Sequence, residues 1–252
     1  MKALVTGASS GIGRDMTKYL DKMGCELILV ARDKDGLDKV AEDIKSEVKV
    51  IAMDLSVSDN CIKLYKMLKK EEIDILINNA GFGTFGRFDD TSLDKELEMI
   101  DLNIKAVHIL TKLFLKDMKE KDHGYILNVS SSAAFQPGPL MATYYSTKAY
   151  VLRLTTALYE ELRKDGSHVG VSVLCPGPVR TNFNKVANVE FELKSLSSSY
   201  VAKYAIDNMF DKKLIIIPGS YMKLLYIFTH ILPIKAILKI SYNIQRRKKG
   251  KL

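Results

Sequence analysis

Tryptophan is absent from this chain of 252 residues, and cysteine occurs only as Cys25, Cys61 and Cys175. The number of cysteines is odd and their spacing fits no metal-ligand pattern, so the sequence predicts neither a disulfide framework nor a metal site. We expect each thiol to be a small buried core residue in a reduced cytosolic protein.

Long apolar runs are also missing. A transmembrane helix needs about 18 or more uncharged apolar residues. The longest candidate, Leu224 to Ile234, has eleven residues and lies between Lys223 and Lys235. The strand-like segment Ala3-Leu4-Val5 leaves no room for a signal peptide before it. These absences predict a cytoplasmic protein.

Acidic residues are missing from the last part of the chain. From Ser220 to Leu252 there are eight basic residues and no acidic ones. Removing these eight from the 38 basic residues of the chain leaves 30, equal to the 30 acidic residues. The remainder is therefore balanced in charge, which argues against a basic nucleic-acid-binding face. We predict no nucleic-acid partner.

Strand-like and helix-like patterns alternate along the chain. Helical patterns cover roughly 12–23, a charged segment through Lys45, 57–71, 92–119 and 143–164. Between and after them lie seven apolar strands, Ala3–Val5, Glu26–Ala31, Val48–Ala52, Asp74–Asn78, Gly124–Val129, Val169–Leu174 and Leu214–Ile217. Repeated β-α units with apolar strands predict an α/β fold, a doubly wound parallel sheet (Rossmann fold) with helices on both faces. We expect this domain to span residues 1–220.

A glycine-rich turn follows the first strand. Glycine permits a tight turn and a close approach of the backbone to a pyrophosphate at the helix N-terminus. The spacing is Gly-x-x-x-Gly-x-Gly rather than the commoner Gly-x-Gly-x-x-Gly. The predicted nucleotide-binding residues of this turn are Gly7, Ser9, Ser10, Gly11, Ile12 and Gly13.

Tyr144 and Lys148 are four residues apart, which places them on one face of a helix. A nearby ammonium favours the phenolate, so we expect Lys148 to lower the pKa of Tyr144. The spacing alone is weak evidence, because Tyr65 and Lys69 repeat it without a serine thirteen residues upstream. Tyr144 has such a serine, Ser131.

Six motifs in order resemble the short-chain dehydrogenase/reductase family over about residues 1–182. They are Thr6-Gly7-Ala8-Ser9-Ser10-Gly11-Ile12-Gly13, Asn78-Asn79-Ala80-Gly81, Asn103, Asn128-Val129-Ser130-Ser131-Ser132-Ala133-Ala134, the Tyr144/Lys148 pair and Pro176-Gly177. The resemblance implies hydride transfer between NADP(H) or NAD(H) and a small-molecule carbonyl or alcohol. The alternative is an NADP(H)-binding sensor or scaffold without turnover.

The resemblance also assigns roles to side chains. Tyr144 would be the general acid/base, Lys148 would hold the nicotinamide ribose, Ser131 the substrate oxygen, and Asn103 a water chain. Further cofactor contacts are expected from Asn79, Ala80, Gly81, Pro176, Gly177, Val179 and Thr181.

The choice among three neighbouring serines rests on spacing. Ser131 is thirteen residues before Tyr144, and strand alternation turns Ser130 and Ser132 to the opposite face. Tyr145 has no lysine four residues later, so we expect it to serve in packing or in a pocket wall.

Arg32 ends the second strand where NAD enzymes of this fold usually carry an acidic residue. Its planar guanidinium suits a 2′-phosphate, so we predict a preference for NADP(H). Asp33 follows at once, and a shift of one residue would favour NAD(H) instead. Asp54 and Leu55 resemble the adenine-contacting pair.

The later segments are less specific. A substrate lid is predicted near residues 182–199. The sequence predicts that residues 221–252 form a basic amphipathic extension, which Pro233 divides into two parts. In the second part, one helical face carries Ile234, Ile237, Leu238 and Ser241. The extension would either contact an anionic membrane surface through 221–251 or pack on the domain or a sister subunit. By analogy, helices near 92–119 and 143–164 predict a homodimer or homotetramer.

Overall fold

The strands form two sheets in the part of the chain that the structure, a computed structural model, describes, which is residues 1–181, 183 and 195–247. In chain order they are β1 (Lys2–Thr6), β2 (Glu26–Ala31), β3 (Val48–Ala52), β4 (Ile75–Asn78), β5 (Tyr125–Val129), β6 (Gly170–Leu174), β7 (Val179–Arg180), β8 (Leu196–Ser197) and β9 (Ile215–Ile216). Seven of them form the main sheet, and β7 pairs with β8. Each end of the seven predicted strands agrees with the structure to within one residue.

The main sheet has the order β3-β2-β1-β4-β5-β6-β9, and all its neighbours pair in parallel. The chain first moves outward from β1 to β3 and then returns to the other side of β1. The order therefore reverses between β1 and β4, and ligands bind in the crevice at such a switch point. The predicted doubly wound fold is confirmed.

Helices cover both faces of this sheet. They are α1 (Gly11–Lys22), α2 (Lys34–Ala41), α3 (Ser58–Leu68), α4 (Leu93–Ile100), a π-helical segment (Asp101–Ala106), α5 (Val107–Lys121), a 3₁₀ turn (Ser132–Phe135), α6 (Ala142–Lys164), α7 (Ser198–Phe210), α8 (Ser220–Ile231) and α9 (Ile234–Arg247). Helix α2 ends four residues before the predicted Lys45. The backbone N–H groups of Lys45 and Ser46 instead donate to the Asp21 carboxylate, at 3.0 and 2.8 Å.

Side chains of β1 alternate between two apolar cores. Ala3 and Val5 belong to one cluster with Leu20 of α1, and Leu4 belongs to the other with Phe114 of α5. This alternation is the two-residue period of a strand buried on both faces. The three thiols are buried and unpaired, as expected for Cys25, Cys61 and Cys175.

A buried polar network ties the helices of one face to the sheet. Asn78 Nδ2 donates to Thr111 Oγ1 at 3.0 Å and to Asn128 Oδ1 at 2.8 Å. Asn128 Nδ2 donates in turn to Thr155 Oγ1 of α6 at 3.0 Å. Buried amides are costly unless they are paired, so this network specifies how α6 sits on β5.

The extension after residue 220 packs on the domain through part of its surface. Ile237, Ser241 and Gln245 of α9 are buried, and Ser241 Oγ donates to the Pro137 carbonyl at 3.2 Å. Of the four residues predicted to share one face, Ile237 and Ser241 are therefore buried, whereas Ile234 and Leu238 are exposed. None of the described helices has the length and apolar character needed to cross a bilayer.

Candidate active site

A cleft of about 490 Å³ lies at the carboxyl ends of the central strands. All but two of the predicted site residues line it, namely Gly7, Ser9, Ser10, Gly11, Ile12, Arg32, Asp54, Leu55, Asn79, Ala80, Gly81, Ser131, Tyr144, Lys148, Pro176, Gly177, Val179 and Thr181. The two that do not line it are Gly13 and Asn103. The structure describes only part of the predicted substrate lid, because residues 182 and 184–194 lie outside the described residues.

The glycine-rich turn brings bare backbone to the edge of the cleft. Gly7 and Gly11 have φ values of +65° and +57°, in the left-handed region that favours glycine. A Cβ atom on Gly7 would lie 2.8 Å from Asn79 Nδ2 and 2.9 Å from Ala80 Cα. The turn leads directly into the N-terminus of α1, where backbone N–H groups favour phosphate. Its shape and chemistry therefore fit the pyrophosphate of a dinucleotide.

Gly13, another predicted cofactor contact, packs closely behind the glycine-rich turn. It does not line the cleft, and a Cβ there would lie 2.3 Å from the Gly7 carbonyl oxygen and 2.4 Å from Asn79 Nδ2. Its missing side chain lets the first turn of α1 pack directly on the glycine loop. The packing of Gly13 thus helps to fix the shape of the glycine-rich turn.

Thr6 connects the glycine-rich turn to the loop after β4, a contact that no sequence motif predicted. Its hydroxyl oxygen accepts from the backbone N–H groups of Asn79 and Ala80, at 3.0 and 3.1 Å. Asn79 Nδ2 returns hydrogen bonds to the carbonyls of Thr6 and Gly7, at 3.0 and 3.1 Å. The signal in the sequence was a hydroxyl residue at a strand end directly before the glycine turn.

Arg32 and Asp33, at the end of β2, bind different partners. Arg32 Nη1 lies 2.6 Å from Glu98 Oε1 and 3.8 Å from Asp54 Oδ2, and its side chain is 55% exposed. Asp33 Oδ1 accepts from the Gly36 backbone N–H at 3.0 Å, which makes Asp33 the N-cap of α2. The cap holds one oxygen of the carboxylate, while the guanidinium has only solvent-exposed partners.

The serine segment follows β5 and leaves the strand at Val129. Ser131 Oγ accepts from the Ala133 backbone N–H at 3.1 Å, and Ser130 Oγ donates to the Lys148 carbonyl at 2.7 Å. Ser130 and Ser131 thus have different hydrogen-bond partners, although Ser130, Ser131 and Ser132 all line the cleft. Strand alternation does not separate these serines, because β5 ends at Val129 and Ser132 begins a 3₁₀ turn.

Tyr144 is buried in the cleft wall with 8% of its surface exposed. Burial raises the pKa of the phenol to about 12, and the neighbouring Ser131 side chain acts in the opposite direction. The expected lowering of this pKa by Lys148 is not seen, since the net shift is upward. The Lys148 ammonium lies 6.0 Å from the centroid of the Tyr144 ring. At neutral pH the phenol therefore holds its proton.

Lys148 is a buried cation at the floor of the cleft. Its Nζ donates to the Val129 carbonyl at 3.0 Å, and only 5% of the residue is exposed. Burial lowers the pKa of this ammonium to about 8. The group is still mostly charged at pH 7 and can hold the hydroxyls of a ribose.

Asn103 lies in the π-helical segment and is completely buried. Its Oδ1 accepts from the Phe82 N–H at 3.1 Å, and its Nδ2 donates to the Phe82 carbonyl at 2.9 Å and to Thr147 Oγ1 at 3.1 Å. The widened π turn is a frequent device at functional sites. Here it lets Asn103 clamp the loop after β4 against α6, beside Gly81.

Helices α8 and α9 supply a wall of the cleft that the sequence did not reveal. The lining residues from this extension are Tyr221, Met222, Leu225, Ile240, Ser241, Ile244 and Gln245. Gln245 Nε2 donates to the hydroxyl of Tyr145, which itself lines the cleft. Tyr145 thus forms a pocket wall, one of its two predicted roles. Such contacts join residues 100 positions apart, which local patterns do not report.

Comparison with known proteins shows which family this chain resembles. A sequence model of the family described as short chain dehydrogenase matches residues 1–190. A human very-long-chain 3-oxoacyl-CoA reductase is 37% identical over 192 residues, which cover 73% of this chain and 61% of the human protein. The chain therefore spans less than two thirds of that relative.

Two solved structures share the fold. A short-chain dehydrogenase of Sphingobium yanoikuyae in complex with NADPH matches with a TM-score of 0.82 and 29% identity, covering 87% of this chain and 88% of the other. A short chain dehydrogenase/reductase of Burkholderia phymatum in complex with NAD matches with a TM-score of 0.82 and 24% identity, covering 89% and 91%. This chain therefore belongs to the short-chain dehydrogenase family and is an oxidoreductase that uses a nicotinamide cofactor.

Proposed function

We propose that this protein reduces a carbonyl compound with NADPH, and catalyses the reverse alcohol oxidation when the concentrations of substrates and products favour it. The observation that carries the proposal is the neutral, buried phenol of Tyr144 beside the Ser131 hydroxyl in the wall of the cleft. A phenol that retains its proton at neutral pH is suited to donate that proton to an oxygen that gains negative charge.

The roles of the side chains follow from their positions. The bound nicotinamide supplies or accepts the hydride. Ser131 donates a hydrogen bond to the substrate oxygen, and Tyr144 delivers its proton to the same atom. Lys148, held by the Val129 carbonyl, stabilises the phenolate that remains and binds ribose hydroxyls. Asn103 keeps α6 and the loop after β4 in register by its bonds to Thr147 and Phe82.

The preference for NADP(H) rests on Arg32. Its guanidinium reaches the cleft from the end of β2 with only exposed carboxylate partners. A 2′-phosphate would accept two parallel N–H donors from it, which favours NADP(H) over NAD(H). Because Asp33 caps α2, turning its carboxylate toward a ribose would cost a helix cap, about 1 kcal/mol.

The decisive test is the variant Tyr144→Phe. We expect its turnover on a panel of ketones and aldehydes to fall at least 1000-fold, which combines the lost proton donor with the lost hydrogen bond. NADPH binding, measured by fluorescence titration, should stay within about threefold, since the phenol oxygen is a small part of the cofactor contact surface.

Tyr65→Phe is the matched control. Tyr65 has the same lysine spacing, its pKa is also raised to about 12, and its hydroxyl bonds Asp117 at 2.9 Å away from the cleft. Its turnover should not change. If Tyr144→Phe keeps its turnover, the proposed role of Tyr144 is wrong. If the unmodified protein binds NADPH but reduces nothing on the panel, the sensor or scaffold alternative is favoured.

We also propose a homodimer or homotetramer that forms through the helices near 92–119 and 143–164. Light scattering on the purified protein would test this. A monomer at micromolar concentration would reject it.

A further inference from the structure

Helices α8 and α9 expose an unusual amount of apolar surface. The described part of the chain has twenty large apolar side chains that are exposed, and eleven of them belong to these two helices and the turn between them. On α8, Tyr221, Leu224, Phe228 and Ile231 recur at helical spacing and are 48–71% exposed. The opposite side of α8 packs on the domain through Met222. Contiguous exposed apolar surface of this kind marks an interaction site.

The charge of the same segment has one sign. Lys223, Lys235, Lys239 and Arg246 are exposed on these helices, and no acidic residue occurs from Ser220 to Leu252. Two copies of this face packed against each other would bring like charges together, which disfavours a symmetric dimer there. An anionic surface complements the face instead, and each lysine or arginine near such a surface favours binding.

The apolar surface is continuous with the cleft. Tyr221, Ile240 and Ile244 are exposed and also line the cleft that holds Tyr144. A hydrophobic compound could therefore pass from the face into the cleft without crossing a polar rim at these residues. The same side chains therefore form the opening of the cleft and part of the exposed apolar surface of α8 and α9.

We propose that α8 and α9 form a docking face that rests on an anionic lipid bilayer and takes a lipid-dissolved carbonyl substrate from it. The part about the substrate rests on the proposed function, while bilayer docking does not. The helices lie in the interface, with the apolar side chains among the acyl chains and the lysines at the headgroups. The substrate class is a carbonyl on a long alkyl or acyl chain.

The first experiment measures binding of the full chain to vesicles by co-sedimentation. Vesicles of phosphatidylcholine mixed with phosphatidylserine should bind the protein at least tenfold more tightly than phosphatidylcholine alone, and salt should weaken the binding. The double variant F228E/I231E should lose at least tenfold of this affinity. Neither side chain lines the cleft, so NADPH affinity should not change.

Ile62 and Met67 of α3 provide a matched control. They are 39% and 48% exposed, and neither lines the cleft. The variant I62E/M67E adds the same charge as F228E/I231E and should bind vesicles as the unmodified protein does. Equal binding of both double variants, or no preference of the unmodified protein for anionic vesicles, would overturn the docking face. A changed oligomeric state of F228E/I231E without vesicle binding would instead assign the face to a protein interface.

The substrate class is tested separately from both docking and turnover. F228E/I231E should reduce a short water-soluble ketone at the unmodified rate but lose at least fivefold of its rate on a long-chain methyl ketone carried in anionic vesicles. Equal loss on both ketones would reject the substrate class. Y144F should still bind vesicles, so failure of the catalytic proposal is distinguishable from failure of docking.

Discussion

Replacing Lys148 with methionine should stabilise the protein while it destroys activity. The ammonium is buried, and its pKa falls from 10.5 to about 8 because burial disfavours the charged form. Methionine has a similar length and no charge, so it removes this cost. Functional residues are often held at such a cost to stability.

The size of the effect follows from proton linkage. The folded-state pKa lies below the unfolded value, so the unfolded chain binds more protons between pH 8 and 10.5. Stability therefore rises with pH across that window, and below it the burial cost is fully present at roughly 3 kcal/mol. The lost hydrogen bond to the Val129 carbonyl subtracts about 1 kcal/mol. The variant should gain about 2 kcal/mol at pH 7 and nearly nothing at pH 10.

Equilibrium unfolding in urea at both pH values is the assay. Lys69→Met is the control, because Lys69 follows Tyr65 at the same spacing but is exposed. Its free energy of unfolding should change by less than about 0.5 kcal/mol at either pH. A Lys148→Met protein that is less stable than the parent at pH 7, or a gain that does not shrink by pH 10, would refute the reasoning.

Two further predictions concern the cofactor end of the cleft. Glu98→Gln removes an exposed carboxylate partner of Arg32, which is worth under about 1 kcal/mol, so NADPH affinity at low salt should rise by up to about fivefold. NADH affinity, titrated in parallel, should not change, and an equal gain for both would mean that Arg32 does not read the phosphate. Gly13→Ala places a Cβ 2.3 Å from a backbone oxygen, so the glycine loop must move. We expect a loss of about 1–3 kcal/mol in unfolding free energy and at least a tenfold loss of NADPH affinity, whereas unchanged affinity would show that the loop tolerates the shift.

The strands were predictable because their patterns are local. Each is a short apolar run bounded by turn residues, and parallel pairing follows from the helices between them. Gly7 and Gly11 could be placed at the cleft because a turn between a strand and a helix needs glycine and faces the switch point. The close packing of Gly13 behind this turn could not be predicted, because it depends on the position of Asn79 in another loop.

The parts that could not be predicted depend on distant contacts. The π segment around Asn103 has no periodicity that separates it from an α-helix, and only its bonds to Phe82 reveal its purpose. The pKa of Tyr144 was expected to fall from its lysine spacing. Burial, which spacing does not report, dominates instead. The contact of Gln245 with Tyr145 likewise depends on how the extension folds back.

The late position of α8 and α9 in the chain has a consequence for synthesis. Every strand of the main sheet precedes residue 220, and all residues of the nucleotide cradle precede it as well. At a translation rate of about 5–20 residues per second, residues 220–247 are synthesised over roughly one to six seconds after the last strand of the sheet has been synthesised. The wall that α8 and α9 contribute is therefore the last part of the described cleft to be made, and it packs on a sheet whose strands were all synthesised before it.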